Sequence, residues 1–595
     1  MRTKNLLSII LFGILFQVKA QSLNQIIKQR TVSYNYLSTL NSFEVKHTLD
    51  VEKASNKNTQ STQSLPYPII LIHGLNSNSA VWTDLGIQLI NEGLSYGGRI
   101  DFCLNDDGNN SISNKNLYPT PGADIALYTN YTTDLTVADF YLVNFDIDNL
   151  GRFQSNVNFE DVLSNEAAIV KQGVALKYVI QLVLEKTGRD KVILMGHSMG
   201  GLCAREYLQN PINWQPDENH HVAKLITTGT PHGGYTGINA AALTGINEKS
   251  EAYRDLKKNY TISGNDGVYL YGGYENYSTM NNNLLYNFHN VDVNCNGVDG
   301  DNTDIIGLNE KSLPLNLDFA YIVGDCTNCS YLQGTVEGDG IVRTVNANFG
   351  NFYNFSSPKN EFIYKADASS ALVGLHSDLP KAIPVSMQGL DEPNEYSLSY
   401  EIDFNQEYKG FITPQPVNGG YAFDYDDYKF KMPSNGSFNI SITNSFSENL
   451  PFIIKNSSFE EVYSNTILPN EANTFSLTLD AGEYYLEFYA TPSPTSYLSP
   501  YSFNLTHSLS NQENISDASI NLFPNPTNSK VFIDNSVGKF ETVTIINSLG
   551  QLVGKTNFSS FEKNQEIDMS SLAKGVYLLK FKNTATNKTV KIIKQ

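Results

Sequence analysis

The sequence predicts a doubly wound, mostly parallel α/β sheet with long cap insertions, followed by two small all-β modules. Three observations carry this expectation. Short all-apolar runs alternate with helical stretches across residues 66–394, the pattern of strands covered on both faces by crossover helices. After Pro393 the helical pattern stops and period-two alternation replaces it. The chain has 595 residues, 41% of them hydrophobic, enough for several cored domains rather than one.

Residues 1–20 read as a cleaved signal peptide. Arg2 and Lys4 precede an apolar run from Leu6 to Phe16, and Val18-Lys19-Ala20 has the form of a cleavage site. Cleavage would remove three positive charges and take the net charge from −20 to −23. That acidity excludes a nucleic-acid surface and an anionic-lipid anchor. No apolar stretch reaches the roughly 18–20 residues of a membrane helix. With no cysteine near the cut, a lipid anchor is not expected either, so the chain should be exported.

Residues 21–65 are a polar lead-in. Pro68-Ile69-Ile70-Leu71-Ile72 is the first buried strand, followed by a helix from about Val81 to Glu92. A strand over Phe140–Phe145 comes next, then a long helix capped by Ser164 and closed at Gly188. Lys191–Met195 is a strand that passes at once into a helix from Met199 to about Leu208. Val222–Thr227, Phe319–Val323 and Glu361–Lys365 complete the strands. Insertions at about 97–138 and 235–315 are long enough to be caps or binding elements. Residues 395–508 alternate as a β-sandwich does, 509–517 form a polar linker, and 518–595 a second small β module. Export places Cys103, Cys203, Cys295, Cys326 and Cys329 in an oxidising space. Cys326 and Cys329 can close a tight disulfide, and Cys203, inside an apolar helix, is the expected free thiol.

The chemistry concentrates at Gly196-His197-Ser198-Met199-Gly200, between a strand and a helix. A sharp strand-to-helix turn pushes the Ser198 hydroxyl outward and leaves no room for side chains at the flanking positions. A nucleophilic serine needs a base. Of nine histidines, His73 and His197 belong to motif backbones, and His220 and His221 sit before a strand. His47 and His507 lie outside the α/β region, and His232 and His289 come too early for a Ser–acid–His order. His376, just after the last strand, remains. The acid should follow the penultimate strand, where Asp339 in a glycine-flanked loop is favoured over its competitor Asp325. For an oxyanion hole, Met199 supplies one backbone N–H and Leu75, after His73-Gly74, the other.

These residues also carry a resemblance. His73-Gly74-Leu75, Gly196-His197-Ser198-Met199-Gly200-Gly201, Thr230-Pro231-His232-Gly233-Gly234 and Gly338-Asp339-Gly340-Ile341-Val342 occur in the order seen in secreted bacterial lipases of the α/β-hydrolase superfamily. Over about residues 66–385 the resemblance implies ester hydrolysis of lipid or small ester substrates, with Ser198, Asp339 and His376 as the triad. It also implies a mobile lid, for which 235–315 has the right position. No organic cofactor is required. Calcium is the one candidate ligand: Asp292, Asn294 and Asn296 alternate as an EF-hand loop begins, although Thr303 stands where a bidentate Glu belongs. Asp378 resembles a structural calcium ligand of some bacterial lipases.

Two further resemblances concern the C-terminal half. Asp424-Tyr425-Asp426-Asp427-Tyr428-Lys429-Phe430 with Leu479–Leu486 resembles the prepeptidase C-terminal β-sandwich, which implies either surface or glycan binding or a spacer. Leu522-Phe523-Pro524-Asn525-Pro526-Thr527, Val531-Phe532-Ile533 and Met569–Leu579 resemble the type A sorting domain of the type IX secretion system. That implies the secretion machinery as partner, passage through the outer membrane and removal of the domain on export. The expectation is a secreted serine ester hydrolase. Its rivals are a thioesterase or acyltransferase of the same fold, or a surface-binding protein without catalysis.

Overall fold

The computed structural model describes residues 63–102, 104, 135–146, 164–167, 169–235, 308–326, 337–353, 359–365, 375–413, 415–417, 420–492 and 499–507, with short segments at 31–37, 42–48, 251–256, 261–262, 265–266, 274–276 and 304–306. It also describes 522–534, 540–547, 552–558, 564–583 and 587–595. These belong to two compact units, 1–507 and 508–595. The signal segment, the 509–517 linker and most of both insertions lie outside the described residues.

In the first unit seven strands form one sheet: β1 Ile69–Ile72, β2 Tyr96–Asp101, β3 Phe140–Asn144, β4 Val192–His197, β5 Val222–Thr228, β6 Asp318–Asp325 and β7 Lys359–Lys365. Their order is β7-β6-β5-β4-β1-β3-β2, with every neighbouring pair parallel. Strand order reverses at β1, so the loops leaving β1 and β4 part company there and open a crevice at their C-terminal ends.

Helices α1 Thr83–Asn91, α2 Ile169–Thr187, α3 Met199–Gln209 and α4 Ile383–Leu390 cover the sheet. Alternate side chains of each strand point to opposite faces. Ile69, Leu71, Phe140, Leu142 and Met195 therefore pack with α1 and α4 residues such as Leu85, Leu89 and Met387. Ile70, Ile72, Tyr141, Val143 and Leu194 pack with Leu176, Val179 and Val183 of α2 and Leu208 of α3.

Two sequence expectations need correction. The first insertion does not begin at residue 97, because Tyr96–Asp101 is an edge strand paired with β3. Its two glycines hide the strand signal. Gly97 is required there, since a Cβ would sit 2.1 Å from the Tyr141 ring. Ser164 does not cap α2 either. Its hydroxyl accepts the Leu104 N–H at 2.8 Å and donates to the Phe102 carbonyl at 3.2 Å. The Ile169 N–H at the start of α2 goes instead to Asp255, at 3.0 Å.

The β-sandwich comprises β8 Tyr400–Glu401, β9 Glu407–Gly410, β10 Asp424–Met432, β11 Gly436–Thr443, β12 Leu450–Asn456, β13 Glu461–Ile467, β14 Ala472–Leu479, β15 Gly482–Ala490 and β16 Tyr501–His507. A five-stranded sheet, β8-β10-β15-β12-β13, faces a four-stranded one, β9-β16-β11-β14. Its core is continuous with the α1/α4 face of the parallel sheet. Polar ties reinforce this junction. Glu401 N–H donates to the Tyr67 hydroxyl at 3.1 Å, Lys409 N–H to Ser64 O at 2.9 Å, and Arg189 pairs with Asp403 at 2.9 Å. The sandwich is thus packed onto the α/β layer, an arrangement that a spacer reading does not anticipate.

The second unit holds a three-stranded sheet and a four-stranded sheet, all antiparallel. Val531, Ile533, Val543, Ile545, Ile567 and Leu579 fill its core.

Candidate active site

Ser198 stands between β4 and α3 with φ 54° and ψ −128°, a conformation costing of order 1–3 kcal/mol for a residue with a side chain. Its N–H donates to the Thr228 carbonyl at 2.9 Å, which ties the strained turn to β5. The sequence motifs interlock around it through their glycines. A Cβ on Gly74 would fall 2.6 Å from Ser198 Cβ, and one on Gly200 would fall 2.5 Å from Ile72 O. A Cβ on Gly324 would fall 2.7 Å from Asp339 Cβ. Each glycine lets one motif touch the next.

His376 opens a short 3-10 turn, His376–Lys381, after β7. Its Nδ1 lies 2.7 Å from Asp339 Oδ2, and its N–H donates to the Asp339 carbonyl at 2.9 Å. Asp339 is fully buried, and its other oxygen accepts the N–H groups of Ile341 (3.0 Å) and Val342 (2.7 Å). Those bonds aim the carboxylate at one histidine. The competitor Asp325 is placed elsewhere, paired at 3.2 Å with Lys365 across the β6–β7 register. The structure therefore brings His376 and Asp339 together, and Gly74 brings the His73–Leu75 turn against Ser198.

The Leu75 and Met199 N–H groups have no hydrogen-bond partner among the described residues. Met199 is the first residue of an 11-residue helix, so the positive end of its dipole adds to that donor. The turn carrying Leu75 is braced from below. His73 Nε2 accepts the Phe145 N–H at 2.8 Å, which leaves the proton on Nδ1, 2.8 Å from Gly74 O. Burial lowers the His73 pKa to about 4. Further along the turn, Ser79 N–H donates to Asn144 Oδ1 at 3.3 Å, and Asn144 Nδ2 to Asp101 at 2.9 Å. Nearby, burial raises the Asp146 carboxyl to about 8.

The Thr-Pro-His motif supports α3 from behind. His232 stacks on Phe349 at 4.0 Å and accepts from the buried Arg205 at 3.1 Å. Burial holds the His232 pKa well below its usual value. His73, His197 and His232 all have defined bonding roles, where sequence reading placed the first two in motif backbones and set the third aside as too early in the chain to be the base. Of their partners, His376 was already singled out as the base, whereas Phe145 and Arg205 gave no sequence signal.

The residues of the calcium expectation lie mostly outside the described part of the chain. Asp292, Asn294 and Asn296 lie outside the described residues, and Asp378 pairs with Lys381 at 2.5 Å. Among the described residues the donor set that could hold a cation is different. Carboxylate oxygens of Asp391, Asp424 and Asp426, all buried at the α4–β10 junction, lie within 4.8 Å of one another. Burial, then the neighbouring carboxylates, raises Asp391 and Asp426 well above the carboxylate range, and burial takes Asp424 to about 7. Cys203 is buried and free, while Cys326 is disulfide-bonded; Cys329 lies outside the described residues.

Residues 67–256 match the alpha/beta hydrolase fold family, and residues 521–595 match the secretion system C-terminal sorting domain. No curated protein matches the sequence. Among solved structures, the lin2722 product of Listeria innocua is similar at 15% identity, covering 55% of this chain and 95% of that one, with a TM-score of 0.30. Carboxylesterase CesB of Bacillus subtilis is similar at 11% identity, covering 64% of this chain and 96% of that one, with a TM-score of 0.27. The pre-peptidase C-terminal domain of a collagenase from Bacillus anthracis is 18% identical, covering 20% of this chain and 99% of that one, with a TM-score of 0.15. No helix among the described residues is long and apolar enough to cross a membrane. The chain carries an α/β-hydrolase domain and a type IX secretion system C-terminal sorting domain, which directs it out through the outer membrane.

Proposed function

We propose that the chain is a secreted serine ester hydrolase acting on carboxylic esters of lipids through an acyl-enzyme. The observation that carries this reading is the buried Asp339–His376 pair, 2.7 Å apart, in a fold that presents Ser198 on a strained turn beside a glycine-rich loop. Ser198 Oγ attacks the ester carbonyl while His376 Nε2 takes its proton and later returns it to the departing alcohol. Asp339 holds the imidazole with its proton on Nδ1 and stabilises the imidazolium. The N–H groups of Leu75 and Met199 receive the charge that develops on the carbonyl oxygen, each donor being typically worth about 10²–10³ in rate. Water then repeats the sequence on the acyl-enzyme. No step needs an organic cofactor or a metal at the reacting bond.

A fluorophosphonate probe tests the nucleophile. It should label the parent chain and fail to label Ser198→Ala. Labelling that survives this substitution would end the proposal. Offering an alcohol or thioester beside water separates simple hydrolysis from the acyltransferase and thioesterase readings, which share these residues.

A further inference from the structure

His376 is tethered at more points than the acid provides. Its ring is held by Asp339, and its N–H donates to the Asp339 carbonyl. Its own carbonyl, on the other side, accepts from His197 Nε2 at 3.0 Å. The two imidazole rings lie 4.8 Å apart at 42°. Trp82, fully buried, stands edge-on behind His197 at 6.3 Å. His197 is the residue immediately before Ser198 and ends β4. One side chain therefore joins the rigid strand that carries the serine to the loop that carries the histidine.

The bond also fixes the state of His197. A carbonyl only accepts, so Nε2 carries the proton and Nδ1 is a bare lone pair, buried without a partner among the described residues. An apolar residue of similar size would fill the same space without leaving a buried nitrogen unpaired, which is costly in a protein interior. The imidazole is thus a poor choice for packing alone. It makes sense as a donor. Burial, with His376 next, keeps its pKa well below the usual value. A developing imidazolium at His376 then faces a neutral ring rather than a second cation.

We propose that His197 is a positioning residue: its Nε2–H bond to the His376 carbonyl sets where the base stands relative to Ser198. This rests on the reading of Ser198, Asp339 and His376 as the triad. It adds a requirement for a donor at the Nε2 position of the residue before the nucleophile, which triad chemistry by itself does not impose.

The test compares His197→Gln with His197→Asn in the full secreted chain. A Gln amide nitrogen reaches the position of Nε2, whereas an Asn amide stops one bond short. Steady-state hydrolysis of p-nitrophenyl butyrate and the rate of fluorophosphonate labelling are measured for both, with melting temperature as a check on folding. The Gln variant should keep kcat within about fivefold, while the Asn variant should lose about 10²-fold in kcat and in labelling rate with KM unchanged, the scale of a misplaced catalytic group. Equal activity of the two variants would overturn the proposal, as would a Gln variant that does not fold. Activity that survives Ser198→Ala would instead defeat the triad reading beneath it.

Discussion

Substitution of Gly74 by alanine isolates the contact on which the oxyanion turn depends. The new methyl carbon would lie 2.6 Å from Ser198 Cβ and 2.9 Å from His197 O. Carbon–carbon contacts are comfortable at about 3.5–4.0 Å, so the turn or the serine must withdraw by about 1 Å. Neither can do so cheaply. The turn is pinned by His73 to Phe145 and by Ser79 to Asn144, and Ser198 is pinned to Thr228. A displacement of that size costs on the order of 10²-fold in kcat, close to 2.7 kcal/mol of transition-state stabilisation. Kinetics on a soluble p-nitrophenyl ester would show it, beside circular dichroism to confirm the fold. Gly86→Ala is the control. Its methyl would meet only the Phe140 ring at 3.6 Å inside α1, so activity should hold and stability rise by about 0.5–1 kcal/mol. Gly74→Ala with kcat within about threefold of the parent would refute the steric argument, since a 1 Å withdrawal cannot be that cheap.

Three other outcomes follow from the same geometry. Asp339→Asn should lower kcat about 10⁴-fold by losing the tautomer of His376, whereas Asp325→Asn should change it less than about threefold, because Asp325 is committed to an ion pair with the exposed Lys365 ammonium; equal losses would reverse the assignment. A chain ending at residue 394 should fail to fold. Tyr400 and Phe411 share one buried core with Leu65, Leu89 and Leu390, and uncovering such side chains costs about 1.5–3 kcal/mol each, against a net stability of about 5–15 kcal/mol. A cooperative melt of that fragment at the parent's temperature would contradict the shared core. The buried carboxylates give a pH signature. Glu392 and Asp424 are raised by burial to about 8 and about 7 in the folded chain and return to about 4 on unfolding. The folded state therefore binds more protons, so their stabilising contribution is full below about pH 4 and is lost as pH rises to about 8. The melting temperature of the parent relative to Asp424→Asn should fall from pH 5 to 8, and a rise would show that the carboxylate is stabilised as an anion.

Much of the site could be read from the sequence because the chemistry demands residues that punctuate it. Ser198 needs glycines on either side, and the order of motifs leaves His376 as the base. Asp325 ends β6 and Asp339 lies in the loop after it, and only three-dimensional contacts separate them: the β6–β7 register commits Asp325 to Lys365, while Asp339 reaches His376. Strand β2 escaped because backbone pairing with β3 needs no apolar run, and Gly97 and Gly98 weaken the pattern further. Lys224 is a charged residue within an apolar strand and is fully buried. Its ammonium pairs with Asp318 of the neighbouring strand at 2.9 Å and donates to the Asp391 carbonyl at 2.6 Å. Alternation showed that residues 395–508 form a sandwich, but alternation cannot show that the sandwich packs onto α1 and α4. That depends on the shape of two surfaces brought together by the fold.

Ser198-dependent hydrolysis of p-nitrophenyl esters, from acetate to palmitate, tests the central claim most directly. Measured with the full secreted chain beside Ser198→Ala, it should give turnover that vanishes in the variant and reaches into the long acyl chains. Silence across the series in a folded chain, or equal turnover without Ser198, would contradict the account.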